Sequence, residues 1–104
     1  MVKKKNENQI PMTETAFYIL LSLLQPRHGY AIIKNVNKMT DGRITLGPGT
    51  IYGTLSKMSQ SELIQITAEE NNRKIYQVTA LGKELLELER KRITELYQNA
   101  KEAF

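Results

Sequence analysis

The strongest constraint on this chain is a change of period. Up to Gln60 the apolar residues recur at helical spacing. ELIQITA (62–68) and KIYQVT (74–79) then alternate with a period of two, through Ile64, Ile66 and Ala68 and through Tyr76 and Val78. From Thr79 to Phe104 the helical period returns, with no breaker except Gly82. Between the alternating runs lies EENNRK, whose Asn71-Asn72 pair suits a tight hairpin turn. A lone hairpin is marginal in water, so this one must pack on the helices that flank it.

The first apolar run, Thr13 to Gln25, holds Ala16, Phe17, Ile19, Leu20, Leu21, Leu23 and Leu24, with Thr13 as N-cap and Pro26 as terminator. It is apolar on more than one side, so it must bury one face in its own core and can offer another to a second subunit. GYAIIKNVNKM (29–39) places Ile32, Ile33, Val36 and Met39 on one face and Lys34, Asn35 and Lys38 on the other. TDGR (40–43) breaks that helix, and ITL (44–46) reads as a short strand. A third helix follows at roughly 48–60.

That third helix opens GPGTIYGTLSKM. Ile51, Leu55 and Met58 cluster on its buried side, and Thr50, Gly53, Thr54, Ser56, Lys57 and Gln60 occupy the remaining arc. The arc carries hydroxyls, an amide and one lysine, with no acid and no large apolar group. Small polar side chains of this kind let a helix enter a DNA major groove and reach base edges and phosphates. Pro48 suits the first helical position, Gly47 can cap it, and the free first-turn N–H groups favour an anion. The other reading is that the glycines merely shape a turn, with Thr50 capping the helix. A nucleotide-binding P-loop is excluded, because Gly53 is followed by Thr54-Leu55 rather than by a lysine–hydroxyl pair. Tyr52 reads either as a half-buried core aromatic or as a phosphate or sugar contact. Arg73 and Lys74 at the hairpin tip, and Tyr30 and Lys34 on the second helix, are further phosphate candidates. His28 reads as a turn residue.

The last helix would span roughly 37 Å at 1.5 Å per residue. Leu81, Leu85 and Leu88 form one stripe, and Ile93, Leu96, Tyr97, Ala100 and Phe104 form a second beyond ERKR (89–92). The first stripe is expected to pack on the domain and the second on something else. Helix, helix, helix, hairpin and long helix is the order of a mainly α winged helix-turn-helix with a C-terminal dimerisation helix. The expected divisions are a flexible basic tail over 1–12, the winged domain over 13–79 and the dimerisation helix over 80–104.

Charge agrees with that division. The net charge is +4, and the whole excess lies in residues 1–79, residues 80–104 being neutral. A basic front suits a polyanion and a balanced back suits a protein partner. With no cysteine and a single histidine, thiolate and histidine-ligated metal sites are not expected, and no cofactor is. No nucleophile–base pair or paired carboxylates stand out, and Glu69-Glu70 read as solvated turn residues, so an enzyme is not expected. Lys3-Lys4-Lys5 precede an apolar run that NENQ and Pro11 separate from them, a pattern unlike a signal peptide. The run is also too short to span a bilayer, so the expectation is a cytoplasmic protein with no membrane partner. The alternative to DNA binding is a winged helix used as a protein-interaction adaptor.

In FYILLSLLQPRHGYAIIK, LGPGTIYGTLSKM and RKIYQVTALGKELL, taken in order, the chain resembles the PadR family of bacterial transcriptional regulators, and in its short last helix the smaller subfamily. The resemblance implies a homodimeric repressor on a pseudo-palindromic operator of its own or a neighbouring operon. It implies DNA contact by Thr50, Tyr52, Thr54 and Lys57, and by Arg73 and Lys74 on the wing. It implies dimerisation through the first helix, including Phe17 and Leu20, and through Ile93, Leu96, Tyr97 and Ala100. It also raises a small aromatic effector as a partner. Members that sense flat aromatic drugs can use a tryptophan on the last helix; this chain has none, and Ile93 lies near that level. Relatives often place a basic residue after the recognition-helix tyrosine, where this chain has Gly53.

Overall fold

The computed structural model of the chain describes residues 9–104. Most of the basic tail expected over residues 1–12, Lys3 to Lys5 included, lies outside the described residues. Six elements follow in order: α1 (Glu14–Ser22), α2 (Gly29–Met39), α3 (Pro48–Gln60), β1 (Ile64–Glu70), β2 (Arg73–Val78) and α4 (Ala80–Ala103). The architecture is a winged helix-turn-helix followed by a long C-terminal helix.

Local chemistry sets the helix starts. The Thr13 hydroxyl accepts from the Ala16 N–H and the Thr79 hydroxyl from the Gly82 N–H, each an N-cap. His28 caps α2 in the same way, its Nδ1 accepting from the Ala31 N–H at 3.2 Å. That role escapes a reading of residue types, because histidine is not among the preferred caps. α1 ends at Ser22, four residues before Pro26. Leu23 is drawn out of the helix because its carbonyl accepts from the Val78 N–H at 2.8 Å.

The core gathers Ile19, Leu20 and Leu23 of α1 and its cap, Ile32 and Val36 of α2, Ile51, Leu55 and Met58 of α3, Val78 of β2, and Leu85 and Leu86 of α4. Burying each such side chain contributes about 1.5–3 kcal/mol. Leu20, expected at the dimer contact, is wholly buried in the core of its own domain. Ile10 and Met12 pack against the same core, and the Met12 N–H donates to Glu89 Oε1 at 2.9 Å. The packed chain therefore begins ahead of Thr13.

The hairpin turns through Asn71 (φ 53°) and Asn72 (φ 63°), both left-handed, as a two-residue primed turn requires. The strands pair antiparallel from Ile64 opposite Val78 to Glu70 opposite Arg73, with an irregularity between Ile66 and Ala68. Only Ile64 of β1 is buried, and Ile66 is 51% exposed, so the inward alternation expected through Ile66 and Ala68 fails. β1 is the outer strand, and its far half projects past the helices as the wing. In β2, by contrast, Ile75, Tyr76 and Val78 are all buried.

Residues 44–46 form no strand. The third pairing position is taken by Arg27, whose backbone exchanges both hydrogen bonds with Tyr76. Leu46 instead plugs the core, and the Ile44 N–H donates to the Thr40 hydroxyl.

α4 is buried through Gly82, Leu85, Leu86 and Glu89, with Leu81 and Leu88 at the margin of that face. Beyond Arg92 every residue is exposed. Among the described residues no helix is long and apolar enough to cross a membrane.

Candidate nucleic-acid interface

α3 buries Ile51, Leu55 and Met58 and turns its other side to solvent. Thr50, Gly53, Ser56, Lys57 and Gln60 are exposed there and Thr54 is half-buried. The helix starts at Pro48 with Gly47 as N-cap and no side-chain cap. The N–H groups of Gly49 and Thr50 therefore point out of the helix start with no partner among the described residues, and Thr50 is not the cap. A Cβ built on Gly47, Gly49 or Gly53 meets nothing within 4 Å. Packing within the chain thus does not require these glycines.

Gly53→Ala is expected to raise stability by up to ~1 kcal/mol, the propensity difference in a helix interior, read as a higher urea midpoint. If Gly53 serves close approach to DNA, the same change weakens duplex binding. A stabilised variant with unchanged binding would remove that role.

The structure brings Tyr52 and the wing together across a notch of about 290 Å³ lined by His28, Gly29, Tyr52, Asn72, Arg73, Lys74 and Tyr76. Tyr52 is half-exposed, its hydroxyl end lying against Gly29, where an added Cβ would come within 2.7 Å of the oxygen. Tyr52 is thus half-buried, with its hydroxyl edge on the notch. Arg73 Nη1 stands 3.3 Å from His28 Nε2. Burial pushes the Tyr76 hydroxyl above its ordinary value, and the neighbouring Tyr52 adds to that shift, so Tyr76 is a protonated donor at neutral pH. Tyr30 and Lys34 lie apart from this notch on α2, the Lys34 ammonium 5.1 Å from the Tyr30 ring centre. Tyr76 and His28 are the residues that the sequence did not offer for this surface: one reads as core, the other as a turn.

A second surface lies on α1 and α4. Phe17 borders two apolar clefts, one with Tyr18, Glu89, Arg92 and Ile93 and one with Leu21, Leu24, Leu86 and Arg90. Farther along α4, Ile93, Leu96, Tyr97 and Ala100 form an exposed stripe, Leu96 and Tyr97 being 55% and 60% accessible. Among the described residues no group of three or more His, Asp or Glu is placed to hold a metal ion.

Residues 19–88 match the family described as transcriptional regulator PadR-like. Over 74 residues the chain is 35% identical to the transcriptional regulator YqjI of Escherichia coli, covering 71% of this chain and 36% of that protein. It thus spans about a third of the length of that relative. Among solved structures, a PadR-like transcription factor from Bacteroides fragilis superposes with a TM-score of 0.74 at 22% identity, covering 94% of this chain and 97% of that one. A PadR-like transcriptional regulator from Bacillus cereus gives 0.72 at 24% identity, over 86% and 89% of the two chains. At these identities the structural matches speak to the fold.

Proposed function

This chain belongs to the PadR-like family of transcriptional regulators, and from that premise we propose that it is a DNA-binding regulator that reads a pseudo-palindromic operator as a homodimer. The observation that carries this reading is the outer face of α3, which is acid-free, small and polar, next to a helix start that no side chain caps. Thr50 and Thr54 read base edges, Lys57 neutralises a phosphate, and Tyr52, Arg73 and Lys74 hold the flanking backbone. Tyr30 and Lys34 are outlying backbone contacts on α2.

Dimerisation follows from α4. Beyond Arg92 its residues are exposed, yet Ile93, Leu96, Tyr97 and Ala100 share one face. Paired with the Phe17 side of the partner's α1, this stripe would bury both apolar surfaces. The dimer acts in the cytoplasm as a repressor of its own or a neighbouring operon. A small aromatic effector would enter between subunits near Ile93.

Footprinting the full chain on the DNA upstream of its own gene tests the reading. Two protected half-sites about one helical turn apart are expected, and a flat aromatic ligand that acts as effector would release them. A protein that protects no DNA at low salt would instead be an interaction adaptor.

A further inference from the structure

We propose that the notch between the His28 turn, the Tyr52 ring and the wing is a phosphate site, in which His28 Nε2–H, the Arg73 guanidinium and the Tyr76 hydroxyl converge on one oxyanion. The proposal rests on the DNA-binding reading for the source of that phosphate, a backbone phosphate of the bound duplex, but not for the site itself.

Two donors face each other in the notch. His28 Nδ1 accepts the Ala31 N–H in capping α2, which leaves the proton of the neutral ring on Nε2. Nε2 in turn faces Arg73 Nη1 at 3.3 Å, and a guanidinium has no acceptor to offer. Neither group satisfies the other, and an oxyanion seated between them would accept from both.

Tyr76 supplies a third donor. It is only 9% exposed, it lines the notch, and its hydroxyl has no hydrogen-bond partner among the described residues. A phenol hydroxyl without a protein partner is available to donate to a ligand in the notch. Its upward-shifted ionisation keeps it a donor. Charge points the same way: Arg73 and Lys74 both line the notch. Glu70 and Glu69 are their cross-strand neighbours, yet no ion pair joins either couple. The three donors come from the α2 cap and from β2, so the site would tie the wing to the helix-turn-helix when filled.

The test uses the full chain and three variants: Tyr76→Phe, which removes only the hydroxyl, His28→Asn, which keeps a favoured cap for α2, and Arg73→Gln. Each is first checked for an unchanged thermal midpoint, and His28→Asn carries the test if Tyr76→Phe folds poorly. On a mixed-sequence duplex, Tyr76→Phe and His28→Asn should each weaken binding about tenfold, as for a lost hydrogen bond to a charged group, with the salt dependence unchanged. Arg73→Gln should weaken binding and also flatten the log–log salt slope by about 0.9, one phosphate's share. In a parallel arm, inorganic phosphate titrated without DNA should shift the His28 ring resonances in the wild type and not in Tyr76→Phe. Unaltered duplex affinity for Tyr76→Phe and His28→Asn, while Lys57→Ala still weakens binding, would overturn the site and leave the DNA reading intact. No duplex binding by the wild type, with His28 still responding to phosphate, would uphold the oxyanion site, make free phosphate its source and overturn the DNA reading. Silence in both arms would overturn both.

Discussion

Gly82→Ala should destabilise the protein by about 2 kcal/mol net, even though alanine is the better helix former. Gly82 is in the first turn of α4, where a Cβ would fall on the Leu63 carbonyl and on Val78 Cγ2. Neither neighbour is the free end of a flexible chain. The Leu63 carbonyl accepts from the Thr79 N–H at 2.9 Å, and the Val78 N–H donates to the Leu23 carbonyl at 2.8 Å. Making room would pull apart the junction of α1, β1, β2 and α4. Overpacking of this kind costs roughly 1–3 kcal/mol or more, against a propensity gain of up to ~1 kcal/mol, so packing decides the sign. A lower urea midpoint at unchanged slope is the expected readout. Gly53→Ala, with open space around it, should move the midpoint the other way. An equal shift for the two variants would contradict the close approach at Gly82.

Glu89→Ala should cost about 2–3 kcal/mol, less than the ~3–5 kcal/mol for breaking a fully buried charge pair, since its partner Arg92 can turn to water. Glu89 is wholly buried. Its carboxylate accepts from the Met12 N–H and takes two hydrogen bonds from Arg92, at 2.6 and 2.9 Å. The hydrogen bond from Arg92 is the main reason its pKa lies below the ordinary value, with burial opposing and the Met12 N–H assisting. A lowered folded pKa means that this stability is present above the ordinary glutamate value near ~4.3 and is lost as pH falls through the folded pKa. Wild-type stability should therefore drop on acidification by more than that of Glu89→Gln, which has no proton to take up. Arg92→Ala should behave in the opposite sense: with the guanidinium gone, burial disfavours the charged carboxylate, so its deficit is largest at neutral pH and shrinks in acid. Parallel pH–stability curves for wild type and Glu89→Gln would show that the pair contributes nothing.

These two residues also mark what a sequence can and cannot disclose. The periods gave the helices, the Asn71-Asn72 turn and the buried face of α3 directly, because each depends on neighbours in the chain. Residues 44–46 read as a strand from their composition, yet the pairing position went to Arg27, a competition decided in three dimensions. Ile66 alternates correctly but lies beyond the reach of the helices, so its period has nothing to pack on. Glu89 reads as part of a charged patch, since only the return of Met12 across α4 reveals it as the anchor of the N-terminal segment. In the candidate interface, residue types exposed the outer face of α3. They were silent about Tyr76 and His28, whose places follow from the wing folding back on the α2 cap.

The outer face of α3 is the surface proposed to read bases. The direct measurement is the affinity of Thr54→Ala and Lys57→Ala for the footprinted operator and for a mixed-sequence duplex at one fixed salt concentration. Thr54→Ala should weaken the operator by at least about fivefold, within the ~1–3 kcal/mol of a lost base contact, and leave the mixed duplex nearly unchanged. Lys57→Ala should weaken both alike. Equal losses on both duplexes for Thr54→Ala, or none on either, would contradict base reading by this helix.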